Sequence, residues 1–468
     1  MTALDQDFIR QIKHAYFIGI GGVGMSALAR VLKFRGLNVS GSDNKFTRTT
    51  QELRDEGIPV HIGQQEIHFQ DADLVIYSSA IRPNHLELQT ARINGMRVCH
   101  RAELLSSILN QAETSVAVTG THGKTTTSSM ISFVLSELGK NPTCLIGGDL
   151  LNKGTNALLG DMRFCVAEVD ESDKTHELYT PSYAVLTNLE EDHLENYGNF
   201  SNLEASFARF MTKVKNPGVL ISNADDPALE RLTGASGQPK ILFGYSPQAD
   251  FSAGNVCHDS FGSTFDLIEV GFFAARVRIN LPGRHNVMNS LAAVTLLLQL
   301  GIDLEEIVEV LPRFKGARRR LEVKWRSEDL LVIDDYAHHP TEVQACVASL
   351  KKMGDPITVI FQPHRFSRTR YFCKQFAEVL QDVDRVILTE VYSAGEERSL
   401  NDGVQMIYEN LRQLNHPSVC MLDKEAIVDY LDGKNVPRGI YAFVGAGDIG
   451  DVANEFANRF KNCASAKG

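Results

Sequence analysis

Short apolar runs, each closed by a turn and followed by a helical pattern, recur along all 468 residues of this chain. Runs that short read as buried strands, and a helix between successive strands is the connection that parallel pairing needs. Tyr16–Ile20 leads through a glycine loop into a helix from about Met25 to Arg35, with Gly36 placed to end it. Strands follow near Asn38–Ser40 and at Asp73–Tyr77, ahead of a segment from Val98 to Leu105. Ser115–Thr119 opens a second region, whose helix carries Met130, Ile131, Val134, Leu135 and Leu138 on one face and stops at Gly139. Phe164–Val169 and Tyr183–Leu186 read as further strands and Val287–Leu300 as a long apolar helix. A basic stretch, Phe314–Leu321, reads as a linker. Beyond it, strands are expected at Leu330–Ile333, Ile357–Phe361, Arg385–Leu388 and Tyr441–Val444, with helices at Thr341–Leu350 and from Ile449. The expected fold class is α/β with mostly parallel sheets. At roughly 100–200 residues per domain the length suggests three domains, placed at residues 1–111, 112–317 and 318–468.

A formal charge of -11 excludes a global attraction for nucleic acid or an anionic membrane. Phosphates, if bound, are held by local loops and a few placed cations. The eight cysteines are scattered without a CxxC pair, and Cys144, Cys165 and Cys346 lie in apolar runs as small core residues. That usage fits a reducing cytosol. The first residues do not read as a signal peptide, and no uncharged apolar run reaches the length of a membrane span. The expectation is a cytoplasmic protein without membrane insertion, a monomer or weak homodimer.

Three glycine-rich loops follow strands. Val118-Thr119-Gly120-Thr121-His122-Gly123-Lys124-Thr125-Thr126-Thr127 is the most specific. Its backbone N–H groups are suited to wrapping phosphates, Lys124 supplies a cation, and the Thr125 hydroxyl is suited to Mg²⁺. It departs from GxxxxGK[ST] in carrying Val118 at the first glycine position. Gly19-Ile20-Gly21-Gly22-Val23-Gly24 fits a diphosphate at a helix N-terminus, with Asp43 lying 19 residues beyond Gly24, near the usual ribose-binding distance. The alternative is a tight turn without ligand. Gly445-Ala446-Gly447-Asp448-Ile449-Gly450 repeats the pattern, but the chain ends 18 residues later, leaving no room for an acidic partner. There a structural turn is the better reading.

Charged clusters stand beside these loops. Glu168, Asp170, Glu171 and Asp173 follow a strand, where a nucleotide-bound Mg²⁺ finds protein carboxylates. The plainer reading is a solvated acidic turn, but four acids in six residues exceed what a turn needs. Thr187 to His193 follows another strand; a lone histidine there is more often structural than a ligand. Asn286 is a candidate cap for the long helix and Asn289 a candidate contact to a base or ribose; the cap is the safer reading. Asp334 to Pro340 and Gln362 to Arg368 follow strands of one small domain, which makes them candidates for one site. The bland reading of Arg365 and Arg368 is a solvated helix face; that of Arg318 to Arg320 is a solvated linker.

Taken in order, GxGGxGMS, GTHGKTTT, ExDESD, TNxExDH, GRHNxxN, DDYxHHP and PHRFSRT resemble the Mur ligases over nearly the whole chain. The resemblance implies a Rossmann-like N-terminal domain for a UDP-sugar, a central P-loop domain for ATP, and a Rossmann-like C-terminal domain for an amino acid. It implies UDP-N-acetylmuramate and L-alanine as substrates, with ATP and Mg²⁺ as cofactors, and amide formation through an acyl phosphate. Carried onto this chain, it assigns Gly120, Thr121, His122, Gly123, Lys124, Thr125, Thr126, Asn289, Arg320 and Asp335 to ATP. Thr125, Glu168 and His193 fall to the metal ions; His338, Arg365 and Arg368 fall to alanine. Gly21, Gly22, Gly24, Met25, Ser26, Asp43, Ser78, Ser79, Ala80, His100 and Arg101 fall to the UDP-sugar, with Ile81 beside them. A related ligase adding another amino acid or the murein tripeptide is the alternative, although the tripeptide enzyme's first loop resembles GxCGT. An NAD(P)-dependent oxidoreductase built on Gly19 to Gly24 leaves the P-loop unexplained, and a nucleotide-binding regulator predicts ATP affinity without turnover.

Overall fold

The computed structural model describes residues 11–63, 68–69, 71–397, 403–432 and 438–465. They carry three sheets, and the chain divides into two compact units. The first comprises Met1–Val256, Thr264–Ile279 and Asn286–Lys315; the second comprises Cys257–Ser263, Asn280–His285 and Gly316–Gly468.

The first sheet joins β1 (His14–Ile18), β2 (Asn38–Asp43), β3 (Val60–Ile62), β4 (Leu74–Tyr77) and β5 (Val98–His100) in the order β3-β2-β1-β4-β5, all parallel. The order reverses between β1 and β4, and at such a switch point the loops leaving the two strands part to form a crevice. The loop after β1 holds Gly19 to Gly24; the loop after β4 starts at Ser78. Ile81 packs against Gly19, where an added Cβ would lie 3.3 Å from its Cδ1.

The second sheet has ten strands. These are β6 (Thr114–Thr119), β7 (Pro142–Leu150), β8 (Thr155–Leu158), β9 (Asp161–Glu168), β10 (Tyr183–Leu186), β11 (Val219–Asn223), β12 (Lys240–Gly244), β13 (Phe251–Asp259), β14 (Gly262–Glu269) and β15 (Phe272–Ile279). β6 lies between β10 and β9 and is parallel to both, so the loops that leave these three strands emerge side by side. The helix Lys124–Glu137 is buried at every position from Thr125 to Leu135. The one-sided stripe expected of it is therefore corrected: sheet and neighbouring elements cover the helix all round, which its run of small Thr and Ser residues permits.

Both sheets of the first unit share one apolar core, running from Ile12 and Phe17 through Ala117 and Cys165 to Leu229. Polar contacts join them too. Asn156 at β8 donates to the Val23 carbonyl at 2.6 Å and accepts from Arg30 at 2.6 Å, both on the helix Val23–Phe34. Cys144, Cys165 and Cys346 are buried, as their apolar surroundings led one to expect.

The third sheet orders β16 (Glu322–Arg326), β17 (Leu330–Asp335), β18 (Ile357–Phe361), β19 (Arg385–Leu388), β20 (Val419–Met421) and β21 (Gly439–Val444) as β16-β17-β21-β18-β19-β20. All its pairs are parallel except β16 with β17. The stretch Phe314–Leu321 is not a loose linker, since Phe314, Gly316, Ala317 and Leu321 are buried. Among the described residues, no helix is long and apolar enough to cross a membrane.

Candidate functional site

The glycines of the central loop are there because side chains stand against them. At Gly120 (φ +131°) a Cβ would overlap the Thr187 hydroxyl, and at Gly123 (φ +84°) it would overlap Asn289. The loop after β10 braces this turn. His122 N–H donates to Asn188 Oδ1 at 2.7 Å, the Thr187 hydroxyl donates to the His122 carbonyl at 2.6 Å, and Glu190 N–H donates to the Thr121 hydroxyl at 2.9 Å. Asn289 accepts from Thr127 at 3.4 Å, so its side chain sits where the glycine turn enters the helix Lys124–Glu137. The cap reading of Asn286 is corrected, because the helix Arg284–Gln299 starts two residues earlier and buries Asn286 in its first turn.

Lys124 points its ammonium at the acidic turn after β9, 2.8 Å and 3.0 Å from the two oxygens of Glu171. The acids of that turn have separate partners. Asp170 faces Arg101 at 3.3 Å, and Asp173 accepts from the Ser79 hydroxyl at 2.5 Å. Glu168, at the end of β9, accepts from Gly147 N–H at 2.9 Å through one oxygen, and Gly147 is glycine because a Cβ would overlap that carboxylate. His193, in a left-handed conformation (φ 56°), brings Nε2 within 3.9 Å of Glu171 and 3.5 Å of Asp192. Burial opposes charge on Lys124, Asp170 and Glu171, yet Lys124 is held more basic than usual because Glu171, Asp170 and Glu168 outweigh it. Asp170 is held well below the usual carboxylate range, since Arg101 and Lys124 outweigh burial. For Glu171 burial wins and raises the carboxyl despite Lys124. The solvated-turn reading fails: these carboxylates are built into a charge network.

The Gly19 to Gly24 loop is joined to that network. Gly21 N–H donates to Asp43 at 2.9 Å, which ties the loop to the end of β2. Arg101 lies against Gly24, 3.4 Å from where a Cβ would be, and thus reaches from the glycine loop to Asp170. His100 caps the helix Arg101–Asn110 by accepting from Ala102 N–H at 3.3 Å, and its Nε2 is 3.0 Å from the Ser79 hydroxyl. Met25 and Ser26 are buried side chains, Ser26 donating to the Val23 carbonyl at 3.0 Å, so they shape the loop from beneath. Ser78 is half-buried and Ala80 exposed on the adjoining turn.

In the second unit, the loops after β17 and β18 meet as expected. The His338 and His364 rings pack edge-on with centroids 5.4 Å apart, and His364 stacks on Tyr392 at 5.7 Å. Arg368 is only 7% exposed and lies 3.4 Å from His364 Nδ1, so it is not a solvated charge. Arg365 sits at φ 68°, its N–H donating to the Tyr392 carbonyl at 2.8 Å. The turn after β19, which sequence reasoning missed, thus joins this cluster through Tyr392. Glu396 on the same turn accepts from the Ser367 hydroxyl at 2.6 Å. A turn of Tyr, Ser, Ala, Gly and Glu leaving a strand's C-terminal end was the available signal. Arg320 covers the Tyr336 ring at 5.0 Å, and burial pushes the Asp335 carboxyl up to about 6 against the pull of Arg320.

The donor set that would hold Mg²⁺ is Thr125, Glu168 and His193: the Glu168 carboxylate has one oxygen outside its Gly147 bond, and the His193 imidazole adds a nitrogen donor 3.9 Å from Glu171.

Models of the Mur ligase family catalytic domain, the Mur ligase middle domain and the Mur ligase glutamate ligase domain match residues 14–113, 118–297 and 319–447. The chain belongs to the Mur ligase family. Within it, the chain is 37% identical to the UDP-N-acetylmuramate–L-alanine ligase of Carboxydothermus hydrogenoformans, over 95% of this chain and 96% of that one. It is 39% identical to the enzyme of the same name from Symbiobacterium thermophilum, over 97% and 95%. The solved UDP-N-acetylmuramate–alanine ligase of Thermotoga maritima superposes with a TM-score of 0.85 at 30% identity, covering 97% of this chain and 100% of that one. A murein peptide ligase from Psychrobacter arcticus shares the fold, with a TM-score of 0.73 at 24% identity over 95% and 98%.

Proposed function

We propose that the chain joins L-alanine to the lactyl carboxylate of UDP-N-acetylmuramate at the expense of ATP, a step of peptidoglycan precursor synthesis. The observation that carries this reading is the convergence of Lys124, Glu168, Glu171 and His193 from the loops of three adjacent parallel strands. Phosphoryl transfer to a carboxylate needs little covalent help; it needs positioning and neutralised charge. Gly120 to Thr126 cradle the ATP phosphates, Lys124 draws off developing charge, and Asn289 holds the nucleotide beside Gly123. Arg320 and Asp335 contribute to nucleotide binding from the third domain. Thr125, Glu168 and His193 would hold Mg²⁺, which relieves repulsion between the γ-phosphate and the attacking carboxylate.

Gly21, Gly22, Gly24 and Asp43, with Ser78, Ser79, Ala80, His100 and Arg101, orient the UDP-sugar so that its carboxylate reaches the γ-phosphorus. ADP leaves and an acyl phosphate forms. The alanine amine then attacks the acyl carbon, and collapse of the tetrahedral adduct expels phosphate. His338, Arg365 and Arg368 hold alanine, the guanidinium groups pairing with its carboxylate. The test is phosphate release with ATP, Mg²⁺, UDP-N-acetylmuramate and L-alanine. Release that persists when either the sugar nucleotide or the amino acid is omitted would refute the reading. An amino-acid panel in the same assay defines selectivity against glycine and L-serine, which differ from alanine by one small group each.

A further inference from the structure

The protons of the Lys124 ammonium are all engaged. Its nitrogen lies 2.6 Å from the Gly120 carbonyl, 3.1 Å from the Thr121 carbonyl, and 3.0 and 2.8 Å from the two Glu171 oxygens. An ammonium has three protons to give, and these acceptors account for them. Glu171 is 1% exposed and is fixed from behind, its backbone carbonyl accepting from the Tyr197 hydroxyl at 2.5 Å. The neighbouring acids are engaged elsewhere: Asp170 with Arg101, Asp173 with Ser79, Glu168 with Gly147.

A phosphate that is to be gripped by Lys124 must displace one of these acceptors. The two carbonyls belong to the loop that wraps the phosphates and stay with it. Glu171 is the acceptor whose charge matches the incoming group. We propose that Glu171 is a positioning residue that stands in for the nucleotide's terminal phosphates on Lys124 and yields the ammonium when they arrive. This rests on the reading of Gly120 to Thr127 as the ATP loop. A buried carboxylate stripped of its cation is costly, so Glu171 must turn to another. His193 is 3.9 Å away, within the donor set suited to a divalent ion. Glu171 therefore makes nucleotide binding unfavourable unless a divalent cation comes with it.

The test is ATP affinity by calorimetry, in EDTA and in Mg²⁺, for wild type and Glu171→Gln. In EDTA the variant should bind ATP about tenfold more tightly, because the binding-competent lysine is no longer sequestered; the gain on adding Mg²⁺ should shrink. Glu171→Asp, which keeps the charge on a shorter arm, should fall between the two and carries the test if the Gln variant melts early. In a Lys124→Ala background Glu171→Gln should change nothing. Unchanged or weaker ATP binding in EDTA by a folded variant overturns the proposal, as does an equal gain in the Lys124→Ala background. Wild type that binds no ATP in either buffer overturns instead the reading on which it rests.

Discussion

Two loops in this chain carry GxGxxG after a parallel strand, and their surroundings differ. Around Gly19 to Gly24, the rim carries two charged side chains, Asp43 on Gly21 and Arg101 against Gly24, and the apolar Ile81 across Gly19. Around Gly445 to Gly450, the protein has filled the turn with its own arginine. Arg319 donates to the Gly445 carbonyl at 2.5 Å and to the Gly447 carbonyl at 2.8 Å, and pairs with Asp334 at 3.2 Å. Gly450 is glycine because a Cβ would lie 2.9 Å from both Arg319 Nε and Asp334. Gln362 closes the far side, accepting from Ile449 N–H at 3.1 Å and donating to Asp448 at 2.8 Å. The glycine pattern reports that something approaches the backbone closely; whether that is a ligand or the protein itself depends on residues far away in sequence.

The largest expected effect comes from the third glycine loop, the yardstick for both. Lys124→Ala should lower turnover by on the order of 10³, the scale of one well-placed charge at a transition state; a loss below tenfold in steady-state assays would remove that yardstick. Arg319→Ala should act on stability, at about 3–5 kcal/mol for a broken buried pair, read by urea unfolding. A variant of normal stability with an altered substrate KM would make the second loop a binding site after all.

Acid offers a handle on the unit that holds the first loop. His176 is fully buried there, and burial lowers its imidazole to about 4. The folded state thus binds its proton less readily than the unfolded chain. The stability this residue contributes is complete above about pH 6.5 and is lost as the pH falls towards about 4, up to roughly 3 kcal/mol. His176→Leu should flatten that slope in pH-dependent melting; an unchanged slope assigns the acid sensitivity elsewhere. The smallest effect belongs to Gly21→Ala, where a Cβ would meet Asp43 and Thr50 at 2.8 Å. Overpacking of about 1–3 kcal/mol should raise the UDP-sugar KM by roughly ten- to a hundredfold, while the same change at Gly447 should instead lower the melting temperature.

Much of the fold was legible because each strand's apolar run and its turn are local signals. Tyr183–Leu186, Ile357–Phe361 and Arg385–Leu388 are strands with the expected bounds. β7 was missed because Gly147 and Gly148 interrupt its run and read as a turn. The strands β13 to β15 were missed because exposed residues such as Phe272 and Phe273 blur the alternation on which a strand reading depends. The motifs that carry the candidate site residues were legible by their order along the chain. Their partners were not: Arg101 and Asp170 are 69 residues apart, Lys124 and Glu171 47 apart, and only folding decides which acid meets which cation.

The apolar core shared by the first two sheets has a thermodynamic consequence. Side chains from both sheets pack into one body, so global unfolding of that body takes both of its glycine loops with it. By mass action, any molecule that binds one loop withdraws the folded form of both from the unfolding equilibrium. On the proposed function, the sugar nucleotide and ATP would each protect the other's binding surface against global unfolding by heat, even where they never touch.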